Sequence, residues 1–132
     1  MKGLLTALVL LVAAGYAGVI SDPLQLEMAQ AAPEQLIPVL IKPVGRADLD
    51  YINSVAAGMN NSERREFVVT VLKDFAEAAQ RPLVETLEAM PAGSVSDIQT
   101  NWIVSAVGCW ATPEVIRRIA LRGDVEWVHL KT

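Results

Sequence analysis

The raw material for most protein chemistry is scarce in this chain. Its 132 residues hold one cysteine, Cys109, and one histidine, His129. A lone cysteine excludes a disulfide scaffold, which needs an even and dense set. No C-x-x-C or H-x-x-x-H spacing exists, so neither a metal site nor a metal cofactor is expected. Basic charge is also short: 11 Lys and Arg against 15 Asp and Glu leave a net charge of −4. Phosphate backbones are therefore not generally attracted, and nucleic acid is set aside as a partner. The glycines are dispersed and build no phosphate-cradling loop, so no cofactor is called for. No internal repeat is visible. With 52% apolar and 20% charged residues, the balance is wrong for a disordered chain. The length suits one domain of roughly 100 residues.

A catalytic device is equally hard to assemble. A Ser-His-Asp or Cys-His arrangement needs an imidazole held in a cleft by a third group, and His129 lies beside the end of the sequence. Asp48 and Asp50 read as a capped, solvated helix start rather than an acid–base pair. Arg64-Arg65 and Arg117-Arg118 read as exposed helix faces. Arg122-Gly123-Asp124 matches an adhesion tripeptide by letters, but Gly123 is already needed as a helix stop. No self-sufficient enzyme and no catalytic residue is expected.

What the chain does have begins at its N-terminus. Fifteen of the first twenty residues are apolar, and Lys2 is the only charge before Asp22. A charged start, the run Leu4–Ala14 and the small-x-small exit Gly15-Tyr16-Ala17 describe a secretory signal peptide over 1–20, cleaved near Ala17. The competing reading, a retained anchor, needs the run to reach Ile20 across two glycines, at the short limit for a bilayer of about 30 Å. Either way the domain is exported, and the expected location is secreted or periplasmic. No stable membrane association is expected after cleavage.

Residues 21–35 read as a short helix and linker, with Asp22 as cap, Pro23 at the first position and an end at Ala32-Pro33-Glu34. The domain proper spans 36–132. Leu36–Ile41 is a proline-bounded apolar run read as a strand. Asp48–Ala57 reads as a short helix. From Ser62 a long helix follows, with an apolar stripe of Val68, Leu72, Phe75, Ala79, Leu83, Leu87 and Met90. Pro82 should kink it, and Pro91-Ala92-Gly93 ends it. Val95–Thr100 and Trp102–Ala111 read as strands, the latter with a bend near Trp102. Thr112-Pro113-Glu114 is a cap, a proline at the first helical position and an acid in the positive first turn. Val115, Ile116, Ile119 and Ala120 face inward, and Gly123 supplies a left-handed exit. Val125–Leu130 is the last strand.

The order strand, helix, strand, strand, helix, strand predicts an α+β domain of ferredoxin-like βαββαβ type. It is a four-stranded antiparallel sheet with two helices on one face. The other face is left uncovered. Along Trp102–Ala111, the set Ser105, Val107, Cys109 and Ala111 is expected to pack under the helices. Ala106, Gly108 and Trp110 then form a shallow floor suited to another protein.

From Asp22 to Leu130 the chain resembles the N-terminal propeptides, or propeptide-like inhibitors, of subtilisin-type secreted serine proteases. The matching stretches are Ile37–Ile41, Ser62–Val69, Ala79–Leu83, Trp102–Val107, Ala111–Ile116 and Asp124–Val128, in that order behind a leader. The resemblance implies a domain that binds a subtilisin-type catalytic domain, inhibits it and helps it fold. Ala106, Gly108 and Trp110 would dock on the protease; His129, Leu130, Lys131 and Thr132 would be a tail in the substrate cleft. The chain stops at Thr132, where such precursors continue into a protease. It is accordingly read as a stand-alone inhibitor acting in trans or as a severed precursor. Two readings from other classes stay open: a ferredoxin-like regulatory domain that senses a small molecule, and a remnant without a target.

Overall fold

The structure is a computed structural model and describes residues 18–45 and 47–131. The expected leader with its cleavage point near Ala17, and Thr132 of the expected tail, lie outside the described residues. Five strands form one mixed sheet: β1 (Val19–Ile20), β2 (Ile37–Pro43), β3 (Val95–Asn101), β4 (Ala106–Ala111) and β5 (Val125–Leu130). Their order is β1-β5-β2-β4-β3. Four helices accompany them: α1 (Asp22–Gln30), α2 (Leu49–Ala56), α3 (Asn61–Glu88) and α4 (Pro113–Ala120). The fold is α+β, as expected, but the sheet is neither four-stranded nor wholly antiparallel. The pairs among β2, β3, β4 and β5 are antiparallel, and β1 adds a parallel strand outside β5.

That fifth strand comes from residues read as the end of the leader. Gly18 N–H donates to Ala120 O at 2.6 Å and Ser21 N–H to Val128 O at 3.0 Å. The second bond satisfies part of an otherwise bare edge of β5, and the first takes a carbonyl at the end of α4. A Cβ on Gly18 would stand 2.9 Å from Val125 O, so the approach is open to glycine alone.

Alternation on β2 sets the layers. Ile37, Val39 and Ile41 are buried in the core, whereas Pro38, Leu40 and Lys42 are half-buried on the opposite face. Val107, Cys109 and Ala111 of β4 and Val125 and Val128 of β5 join the core side. The helices answer with Leu24 of α1, Leu83 and Leu87 of α3, and Val115, Ile116, Ile119 and Ala120 of α4. Each such Leu, Ile or Val side chain, fully buried, stabilises the fold by about 1.5–3 kcal/mol. α2 packs on α3.

α4 starts as its sequence dictates: Thr112 is the cap, its Oγ1 accepts from Val115 N–H at 3.4 Å, and Pro113 opens the helix. Elsewhere the details shift. Ser21, not Asp22, precedes α1, and its buried hydroxyl has no partner. In α3 the buried residues are Ala76, Gln80, Leu83 and Leu87. Leu83 and Leu87 are buried as expected, but the preceding buried positions are Ala76 and Gln80 rather than Phe75 and Ala79, and Gln80 donates to Asn101 O at 3.0 Å. α3 continues through Pro82 to Glu88. Gly123 is not left-handed, unlike Gly45 and Gly93. α4 instead ends on Leu121 and Arg122, whose N–H groups return to Arg117 O, Arg118 O and Ile119 O. The bend near Trp102 is a full turn: β4 begins only at Ala106, and Ser105 sits there with φ 50°.

Candidate docking surface

Because α1, α3 and α4 supply one core cluster on one side of the sheet, none of them covers the other face. Residues two apart on a strand share a face, so the exposed strip follows from register. Pro38 pairs with Trp110, and Leu40 with both Gly108 and His129. Lys42 pairs with Trp127, which pairs in turn with Val19. The rings of Trp127 and His129 stack, with centroids 3.9 Å apart and 17° between planes. Trp110 is 42% exposed and Val19 is also exposed. Two indoles, an imidazole, Pro38 and Leu40 thus form an amphipathic surface of the composition found at protein contacts.

Cations frame this surface. Lys42 Nζ lies 4.0 Å from the Glu126 carboxylate. Lys131 N–H donates to Pro38 O at 2.9 Å, and its Nζ reaches across the face to within 3.5 Å of where a Cβ on Gly108 would be.

The residues singled out in the sequence are only partly brought together. Trp110 is on the open face and accessible. Gly108 is on the same face but lies beneath Leu40 and Lys131. Ala106 is 0% exposed, so it supports the floor and offers no contact of its own. His129 and Leu130 belong to β5, and Lys131 is bonded to β2. They form no free tail, because the ladder with β2 holds the chain through residue 131. Within that group only His129 and Lys131 are exposed; Leu130 packs toward the core.

Trp127, Leu40 and Pro38 were not singled out beforehand. The sign was available in the alternation of Trp127 and His129 against Val128 and Leu130. The shift in register between Lys42 and Pro43 obscures it, since it lets Val125 and Val128 both point inward.

Reactive groups lie elsewhere or are quenched. Burial pushes the Cys109 thiol up to about 11, with Lys131 pulling weakly the other way. Among the described residues no three His, Cys, Asp or Glu side chains converge on a metal position. No helix among them is long and apolar enough to cross a membrane. The adhesion-like Arg122 and Asp124 are tied to one another by two hydrogen bonds. Compared with protein-family models, curated proteins and solved structures, the chain has no match in any of the three.

Proposed function

We propose that this domain binds a subtilisin-type serine protease through its open sheet face, inhibits it and assists its folding. The observation that carries the reading is the helix-free face bearing Trp110 and the stacked Trp127–His129 pair. The strands β5-β2-β4-β3, with the crossovers α3 and α4, follow the ferredoxin-like order that the resemblance implies, and β1, α1 and α2 are additions to it. Docking buries aromatic surface already fixed on a rigid sheet, so little side-chain freedom is lost on binding. Binding only the folded protease stabilises it against unfolding. Since His129, Leu130 and Lys131 are held to β2, the exposed His129 and Lys131 act in docking, and entry of this stretch into the cleft requires β5 to peel back.

The test is inhibition of a panel of subtilisin-type proteases, with recovery of activity from denatured protease as a second readout. Trp110→Ala with Trp127→Ala should weaken inhibition by about thirtyfold, a hot-spot loss of about 2 kcal/mol. Proteases that stay fully active, digest the chain and refold no better in its presence would refute the reading.

One observation favours a second reading, a regulatory domain that senses a small molecule. A groove of about 680 Å³ lies between α3 and the end of β3, lined by Lys73, Gln80, Arg81, Glu85, Thr100 and Trp102. Thermal stabilisation by polar metabolites, with none by an inactivated protease, would select it.

A further inference from the structure

The groove of about 680 Å³ between α3 and β3 carries its charges in a definite order. After the turn at Pro91–Ser94, β3 returns along α3, and Gln80 stands level with Asn101. One end holds Lys73, whose Nζ lies 5.2 Å from the centroid of the Trp102 ring. In the middle, Arg81 and Glu77 neutralise one another at 2.7 Å. The other end holds Glu85 and Glu88, both exposed. Among the described residues neither of these carboxylates forms an ion pair, and nor does Lys73. Glu85 and Glu88 also crowd the last turn of α3, which has no basic residue. Negative charge is unfavourable at that end of a helix. A cation placed there would be held by the carboxylates and by the helix dipole together.

The floor has one buried polar point. Gln80 is 2% exposed and lines the groove. Its Nε2 donates to Asn101 O, and among the described residues nothing donates to its Oε1. An amide oxygen so enclosed and without a donor is costly, and a ligand N–H would remove that cost. Thr100 adds a hydroxyl from β3, while Ala76 and Val84 supply apolar surface.

We infer that the groove takes a short free peptide, with its α-ammonium at Glu85 and Glu88 and its α-carboxylate at Lys73. This deepens the small-ligand reading of the groove and rests on it. The length follows from the helix. Glu85 and Glu88 stand 12 and 15 residues beyond Lys73, which at 1.5 Å per residue is about 18–22 Å. An extended chain advances about 3.3 Å per residue, so about five or six residues span the two ends. Their amide N–H groups then pass Gln80 Oε1. A polyamine would set a cation against Lys73, and a polycarboxylate would set an anion against Glu85 and Glu88. A peptide free at both termini matches both ends.

The test is calorimetric titration of the full-length chain with penta-alanine, free at both termini, which should bind. N-acetylation should weaken binding about fivefold, the loss of one part-exposed ion pair, and C-terminal amidation should do the same. The acetylation effect should vanish in Glu85→Gln/Glu88→Gln, and the amidation effect in Lys73→Gln. Dialanine, too short to reach both ends, should bind no better than the capped pentapeptides. Three results overturn the inference. Binding of spermidine or citrate without penta-alanine leaves a small-ligand groove that does not take peptides. No binding by any of these, or by a panel of polar metabolites, removes the small-ligand reading as well. An acetylation loss as large in Glu85→Gln/Glu88→Gln as in the unaltered chain puts the ammonium elsewhere.

Discussion

Arg122 grips both carboxylate oxygens of Asp124, Nε to Oδ1 and Nη2 to Oδ2, each at 2.8 Å. Its remaining Nη1 donates to the Thr86 hydroxyl of α3 at 2.7 Å. A bidentate pair thus closes the turn between α4 and β5 and ties it to the long helix. Asp124 O also accepts from Val44 N–H at 2.8 Å, so β2 leaves the sheet against the same turn. The letters of an adhesion motif serve here as a structural clasp.

The clasp makes stability depend on acid. The hydrogen bonds from Arg122 hold the Asp124 carboxyl below its ordinary value. Its contribution is complete above the unfolded carboxylate range, near pH ~4, and is lost as pH falls through the lower folded value. Asp124→Asn should cost up to about 1 kcal/mol at pH 7, since the pair is part-exposed. Its deficit should shrink on acidification. Urea unfolding of both chains at pH 7 and pH 3 measures this; a deficit unchanged with pH would contradict it.

The thiol should be silent. With its ionisation pushed to about 11 by burial, Cys109 carries almost no thiolate at pH 8 and is shielded from reagent. Ellman's reagent should react only at the rate of global opening and promptly in 6 M guanidinium. Prompt reaction of the native chain would show that the β4 core is not closed.

Two hydroxyls at helix starts should behave differently. Thr112 caps α4 through Val115 N–H, so Thr112→Ala should destabilise by about 1 kcal/mol. The Ser21 hydroxyl is buried without a partner, so Ser21→Ala should leave stability unchanged or raise it slightly. Paired thermal melts, scored as the order of the two midpoints, decide the matter.

Gly18 should not tolerate a side chain. Its Cβ would meet Val125 O at 2.9 Å and Ala120 O at 3.3 Å, both backbone atoms. Gly18→Ala should cost roughly 1–3 kcal/mol through overpacking, or strip β1 from the sheet. Loss of exchange protection at the Gly18 and Ser21 amides would report the second outcome, and unaltered stability and protection would refute the contact.

Local rules account for much of what was readable beforehand. Thr112-Pro113-Glu114 dictated the start of α4 because cap, proline and acid each satisfy a separate need of a helix N-terminus. Alternation placed Val107, Cys109 and Ala111 in the core and Trp110 outside it. The α+β class followed from the same local signals, since apolar period and turn residues are properties of neighbours in sequence.

Tertiary packing decided the rest. Whether Val19 and Ile20 end a leader or begin a sheet depends on the bare edge of β5, which no local pattern reveals. Ala106 has the parity of a contact residue, yet its neighbours across the sheet bury it completely. His129 to Lys131 look like a tail by position, but the β2 ladder holds them. Trp127 becomes part of a surface only when His129 stacks on it and Trp110 stands across β2 from it. By itself the sequence determined an α+β fold with an apolar start and one helix-free sheet face. The identity of the exposed residues on that face was set by strand register, a long-range property that alternation within one strand cannot fix.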